Sequence, residues 1–194
     1  MKITVKRGYP IIIAPSEQRN AVVHLRRLIR KGLIIFDFET TGLEAKKDHI
    51  IQINALKIKN GKIKDTFGTY VDNKIHIPEE ITTLTGITDD DVKGAPDITA
   101  ALKAFSLFVS KKGYTLSSYN ASFEKSFLSV WDTDHVIEGS GIIDLLPIAK
   151  TILKNKVRNY SLTSLCNYYG LSRETLCPRL TAEIFLAMAN DKLR

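Results

Sequence analysis

Two carboxylates two residues apart, at the end of an apolar run, constrain this chain more than any other feature. Leu33-Ile34-Ile35-Phe36 leads into Asp37-Phe38-Glu39-Thr40-Thr41-Gly42. A short apolar run closed by glycine reads as a strand entering a turn. Side chains alternate along a strand, so Asp37 and Glu39 share one face while Phe36 and Phe38 point to the other. Two anions on one face repel, and a cation bridging them is the simplest reason to keep both. The competing explanation, a merely solvated pair, fits poorly with so apolar an approach.

The 194 residues suffice for one domain with room for a short extension. No apolar run is long enough to span a bilayer. The segment Met1-Lys2-Ile3-Thr4-Val5-Lys6-Arg7 lacks a signal-peptide pattern, and Cys166 and Cys177 make no metal-ligand spacing. Both cysteines read as core or near-core residues in a reducing compartment, and a cytoplasmic location is expected. Charge is uneven. Residues 1–32 carry eight Lys or Arg against Glu17 alone, a surplus of seven that equals the +7 of the whole chain, so residues 33–194 balance at zero. This segment reads as a basic N-terminal extension ahead of a domain over 33–194, suited to a polyanion or an acidic protein partner. A solvated helix face is the plainer alternative.

Within the extension, short strands are expected at 2–6 and 10–13. A helix follows, capped by Ser16 and stopped by Gly32, with Val22, Val23, Leu25, Leu28 and Ile29 as its apolar side. Strands are expected over 33–39, 49–59 and 62–71, the last two joined by Asn60-Gly61, a strong hairpin signal. Residues 72–96 read as loop. Next come a helix from Asp97 or Thr99 to Val109, a strand over 114–119, a helix capped by Asn120 and a short strand over 141–143. Asp144 caps a further helix to Leu153, Gly170 stops one over 161–169, and Pro178 introduces the last, over 179–190. This order predicts an α/β fold, a mixed five-stranded sheet with helices on both faces. Asp37, Glu39 and Asn120 then fall where strand ends meet helix starts, the usual place for a site in such a sheet.

Several words along the chain resemble the DEDDh exonucleases of the ribonuclease H-like fold. That family includes proofreading exonucleases of bacterial replicative polymerases and ribonuclease T-like enzymes. Asp37 to Leu43 is similar to the first motif, and His49-Ile50-Ile51-Gln52-Ile53 to the second strand. Ile77-Pro78, Thr85-Gly86-Ile87-Thr88 and Ala95-Pro96 resemble the loop that follows. Tyr119-Asn120-Ala121-Ser122-Phe123-Glu124 stands where His-Asn-x-x-Phe-Asp belongs, and Ile143 to Ala149 and Tyr160 to Leu165 also follow the pattern. The resemblance spans nearly all of 33–190 and leaves 1–32 outside. It implies four carboxylates holding two Mg²⁺ or Mn²⁺ ions, with a histidine as general base, for hydrolysis of the last phosphodiester at a 3′ end.

Two of the four metal positions depart from that pattern. Asp37 and Glu39 are intact, but Glu124 replaces the second-motif Asp. The third motif, His-x-x-x-x-Asp, is matched only by Pro178-Arg179-Leu180-Thr181-Ala182-Glu183, so Glu183 replaces Asp and Pro178 takes the place of the base. A sister branch uses Tyr where this chain has Arg179. Mg²⁺ demands near-ideal octahedral geometry, and active sites tolerate about 0.5 Å of error, less than one added methylene. The implied metal set is therefore Asp37, Glu39, Glu124 and Glu183, partly occupied. Ordinary helix-surface roles stay open for Glu124 and Glu183. No histidine is an obvious base: His135 lies in a polar loop, and His24, His49 and His76 read as structural or exposed.

For the substrate, the resemblance points to Thr40, Thr41, Leu43, Leu84 and Ile87 around the terminal nucleotide, with Asn120 and Phe123 beside them; apolar side chains can wedge against a splayed base. Lys154, Lys156 and Arg158 suit phosphates, or a solvated turn. The expected function is a DEDD-type exonuclease-fold protein that binds single-stranded 3′ ends, with catalysis weakened or lost. The alternatives are a working metal-dependent 3′–5′ exonuclease and a non-catalytic interaction subunit. No membrane is implicated. DNA or RNA, the parent assembly and the oligomeric state are open at this level.

Overall fold

Strand β1 (Leu33–Thr40) is the centre of the sheet, flanked by β2 (Ile50–Lys59) and β4 (Thr115–Ser118). The computed structural model describes residues 15–133, 137, 141–172 and 177–190. Outside these neighbours lie β3 (Lys62–Tyr70) and β5 (Ile143–Asp144), giving the order β3-β2-β1-β4-β5. The β1–β2 and β2–β3 pairs are antiparallel, and β1–β4 and β4–β5 are parallel, so the sheet is mixed and five-stranded as expected. Asn60 and Gly61 turn the β2–β3 hairpin at φ 54° and 71°, the left-handed pair that a two-residue turn of this kind needs.

Helices cover both faces. Helices α1 (Pro15–Lys31), α6 (Leu146–Ile152), α7 (Leu162–Tyr169) and α8 (Cys177–Asn190) pack on the face that shows Leu33, Ile35, Leu56 and Ile58. Helices α4 (Ile98–Val109) and α5 (Ala121–Trp131) cover the face that shows Ile34, Phe36, Phe38 and Ile53. The alternation along β1 is as read from sequence. Phe36 and Phe38 meet Phe105 of α4 at ring distances of 5.2 and 6.3 Å, and Asp37 and Glu39 continue the opposite face, the one α8 covers. The start of α4 is as read, with Asp97 accepting from Ala100 N–H at 2.8 Å; Ser161, read only as part of its helix, accepts from Ser164 N–H at 3.2 Å and caps α7.

Elsewhere the structure corrects the expectation. Residues 72–96 hold two short helices, α2 (Glu79–Thr85) and α3 (Asp89–Val92), the second framed by a Thr88–Asp91 capping box. They exist because Ile77, Ile87 and Val92 close over Ile51, a tertiary contact that the polar local sequence hides. Helix α1 begins at Pro15, so Ser16 lies inside it. Its Val22, Leu25, Leu28 and Ile29 are buried in the same cluster as α6 and α8, whereas Val23 is 61% exposed. The helix thus shares the main core. The strands expected at 2–6 and 10–13 lie outside the described residues. Asn120 precedes α5 but its side chain does not cap it; it accepts from the Ser122 hydroxyl at 2.8 Å. Leu145, not Asp144, occupies the cap position of α6, although Asp144 Oδ1 accepts from Leu146 N–H at 2.9 Å.

Candidate active site

Register across the sheet builds one wall of the site. Asp37 stands opposite Asn54 and Glu39 opposite Gln52, and Asn54 Nδ2 donates to Gln52 Oε1 at 2.7 Å. Opposed residues of an antiparallel pair project to the same face, so this amide pair flanks the two carboxylates. Gly68 of β3 stands opposite Asn54, and a Cβ there would lie 3.1 Å from Asn54 Oδ1. The glycine leaves room for the amide. Sequence reasoning did not assign Gln52 or Asn54, though the period of two along β2 carries that signal; Gly68 is visible only once the register is known. Burial raises the pKa of Glu39.

The turn after β1 is closed by its own hydroxyls. Thr40 donates to the Gly42 carbonyl at 2.6 Å. Thr41 donates to Asp48 Oδ1 at 3.3 Å and accepts from His49 N–H at 3.0 Å, while Glu44 N–H donates to Asp48 Oδ2 at 2.7 Å. Thr40 and Thr41, read as substrate contacts, are buried and hold the loop that presents Leu43, which is 83% exposed. Leu84 of α2 is 80% exposed. Ile87, expected beside them, is only 4% exposed and packs with Ile51, Ile77 and Val92. It is a core side chain, turned inward past Gly86, and not a surface wedge. Phe123 is half-buried against Phe127, ring to ring at 4.9 Å.

Glu124, in the first turn of α5, is the most unusual group in the molecule. It is 2% exposed and shares a side-chain hydrogen bond with Asp37. Burial, above all, pushes Glu124 up to about 7, and the Asp144 charge adds to this; Ser118, Asp37 and Glu124's own backbone N–H pull the other way. Ser118 Oγ and Glu124 Oε2 are nevertheless buried without a partner of full hydrogen-bond geometry. The hydroxyl stands near the carboxyl without satisfying it. Ser118 and Asp144 are register partners at the ends of β4 and β5. Sequence reasoning took Asp144 only as a cap and did not assign Ser118. Tyr119, at the position of the motif's first histidine, donates its hydroxyl to the Tyr160 carbonyl. Burial, then Asp144 and Tyr160, raises its pKa and keeps the phenol neutral.

The α8 side of the site is different in kind. Pro178 is buried, and Arg179 Nε lies 3.2 Å from Glu183 Oε1 one turn later. Among the described residues, no group of three His, Cys, Asp or Glu side chains is arranged to hold a metal ion. Asp37 and Glu124 therefore meet, Glu39 sits on the same strand face as Asp37, and Glu183 is engaged by Arg179. The described histidines have other surroundings. His24 is exposed on α1, His49 stacks on Trp131 at 4.6 Å, and His76 Nδ1 lies 2.6 Å from Asp89. His135 is outside the described residues. Beyond α6, Arg158 is exposed while Lys154 and Lys156 are half-buried.

A mixed five-stranded sheet with a carboxylate pair ending its central strand defines a ribonuclease H-like exonuclease fold. Escherichia coli exonuclease I in complex with a dA13 oligonucleotide matches it at a TM-score of 0.69 and 14% identity, over 84% of this chain and 41% of that one. Cell-death related nuclease 4 matches at 0.68 and 16%, over 83% and 64%. The chain belongs to the Exonuclease family whose model, RNase_T, matches residues 34–175. DNA polymerase III PolC-type of Caldanaerobacter subterraneus subsp. tengcongensis is 35% identical over 191 residues, 95% of this chain. The protein of the same description from Clostridium perfringens is 36% identical over 143 residues, 73% of the chain. The chain spans 13% and 10% of these relatives' own lengths. The first likeness reaches into the leading segment that the motifs left outside. No helix among the described residues is long and apolar enough to cross a membrane.

Proposed function

We propose that this chain is a DEDD-type 3′–5′ exonuclease-fold module that holds single-stranded 3′ ends of DNA, with hydrolysis weakened or lost. The observation that carries the reading is the split site: Glu124 buried against Asp37, and a proline and an arginine-engaged Glu183 on α8. DNA is favoured because the relatives of highest identity named above are DNA polymerases.

Asp37, Glu39 and Glu124 are the groups that would hold a divalent cation, Mg²⁺ or Mn²⁺, but as they stand they do not close around one, and their side chains would have to move to do so. Glu124 Oε2 is a buried oxygen without a hydrogen-bond partner, and a cation bound beside it would favour the ionised carboxyl. When bound, such an ion polarises the scissile phosphate and lowers the pKa of a bound water. Glu183 would have to leave Arg179 to join. Hydrolysis also requires a group to take the proton of the attacking water as the upstream 3′ oxygen leaves, and Pro178 cannot do so. Loss of a general base lowers rates by about 10²–10⁴. The chain's residues then bind and orient the end: Leu43, on the loop held by Thr40, Thr41 and Asp48, and Leu84, on α2, offer exposed apolar surface to the terminal base.

A working exonuclease that tolerates Glu ligands is the second reading, favoured by the intact Asp37 and Glu39. An end-labelled single strand incubated with the protein and Mn²⁺ separates the two. Salt-sensitive retention without cleavage supports the first. A shortening ladder that vanishes in Asp37→Ala establishes the second, and absence of binding at low salt removes both.

A further inference from the structure

The outer face of α1 carries charge that the carboxylate site does not use. Arg19, Arg26, Arg27, Arg30 and Lys31 are exposed there, and among the described residues none has an acidic partner. At 3.6 residues per turn, Arg19, Arg26 and Arg30 fall within about 40° of one another, with Val23 next and Arg27 beyond it. From Arg19 to Arg30 the stripe runs about 16 Å. The same helix buries Val22, Leu25, Leu28 and Ile29 on its other side, so the stripe cannot turn inward. Arg26 Nε donates to the Ala189 carbonyl near the end of α8 at 2.5 Å, which fixes the stripe to that helix. Two hollows flank it. One of about 370 Å³ includes Arg26, Arg30, Asn60 and Asn190 in its lining, and one of about 270 Å³ is lined by Val23, Arg26, Arg27 and Arg30.

We propose that this stripe binds the sugar-phosphate backbone of single-stranded DNA, away from the terminal nucleotide. The argument rests on the reading that the ligand is nucleic acid, but not on any cleavage. Three aligned arginines with Arg27 beside them, none with an acidic partner among the described residues, match a row of phosphates, and guanidinium forks take phosphate oxygens in pairs. Among the described residues only Val23 adds large exposed apolar surface within the stripe, too little for the core of a protein interface. The stripe lies on the Asp37–Glu39 side of the sheet. Ala189, where Arg26 attaches, is about 9 Å along α8 from Glu183, so one strand can touch both regions.

The test is binding of a labelled oligo(dT) and of closed circular single-stranded DNA, which has no 3′ end, across a salt series. Removing residues 1–32 is unsuitable because it would strip the core of Leu25 and Ile29. Arg19→Gln, Arg27→Gln and Arg30→Gln, alone and combined, spare Arg26 and should leave the melting temperature unchanged. The triple variant is expected to bind both DNAs at least about tenfold more weakly, with a salt slope reduced by about 2, or about 0.7 for each single change. Glu124→Gln should leave binding to the circle intact. Unchanged affinity and slope in the arginine variants would overturn the proposal. So would poly-glutamate bound as tightly as the oligonucleotide, which would reassign the stripe to an acidic protein. If the protein shows no preference for ends but the arginine variants release the circle, the 3′-end reading fails and the stripe stands.

Discussion

The two sides of the carboxylate site hold their charge in opposite ways. On the β1–α5 side Glu124 is buried against Asp37, with one oxygen unsatisfied and Asp144 close by. On α8, Glu183 is one third exposed and engaged by an arginine of its own helix. A buried carboxyl beside another favours its neutral form unless a cation compensates its charge. An exposed one with an adjacent guanidinium needs neither. On the proposed reading a cation would act in the first half, while Pro178 leaves the second without a general base.

Restoring the α8 half is the strongest way to break that contrast. Pro178→His with Glu124→Asp and Glu183→Asp returns the carboxylates and the base that the resemblance to the family implies. Cleavage of an end-labelled strand in Mn²⁺ should rise by about 10²–10⁴. A flat rate would mean that α8 does not serve this site.

The second prediction concerns the buried half. Glu124 rises to about 7 in the folded protein from its ordinary 4.5, so the folded state binds more protons between those values. Stability should be greatest below pH 4.5, before other groups intervene, and fall as pH rises through 7, by on the order of 3 kcal/mol. Burial of Glu39 acts in the same direction. Glu124→Gln should flatten the profile and melt higher than the parent at pH 8. Mn²⁺, which favours the ionised carboxyl, should raise the parent's melting temperature more at pH 8 than at pH 5. Denaturation across pH with and without the ion reads both, and a parent profile as flat as the variant's would remove the buried charge from the account.

How much of this was legible beforehand follows from the range of each interaction. The alternation of β1, the Asn60-Gly61 hairpin, the helix start at Asp97 and the stop at Gly170 depend on neighbours a few residues away, and all are present, whereas the caps read at Ser16, Asn120 and Asp144 are not. Helices α2 and α3 were hidden because they are held by Ile77, Ile87 and Val92 meeting Ile51, not by an apolar stripe of their own. Val23 and Ile87 show the same limit from both sides: each is apolar, and only the packed structure puts one outside and the other inside. The carboxylates were recognisable from their motifs. The Asp37–Glu124 contact and the Gln52–Asn54 pair join residues from different strands and helices, or from a register that had to be known first.

A smaller effect tests whether the loop after β1 belongs to the buried half. A Cβ at Gly42 would fall 2.5–2.6 Å from the Asp48 carboxylate, which closes the loop on Thr41 and Glu44. Gly42→Ala should therefore displace Asp48 and lower stability by about 1–2 kcal/mol. Because the same loop presents Leu43, affinity for a 3′-ended strand should fall while affinity for circular DNA holds. Equal losses on both would place Leu43 away from the end.

The smallest effect is expected on α8. Arg179 and Glu183 form an i,i+4 pair at 3.2 Å with both side chains substantially exposed. Such pairs contribute less than about 0.5 kcal/mol and weaken with salt. Arg179→Ala should leave the melting temperature almost unchanged, yet it removes the cation beside the one acidic group of the third motif. If the contrast between the halves is set by the missing base, Mn²⁺ affinity will rise slightly and cleavage will stay low, because Pro178 is unchanged. If Arg179 is what keeps Glu183 from the site, the single substitution will raise both, and titration of Mn²⁺ alongside the cleavage assay distinguishes these outcomes without any large change in stability to confuse them.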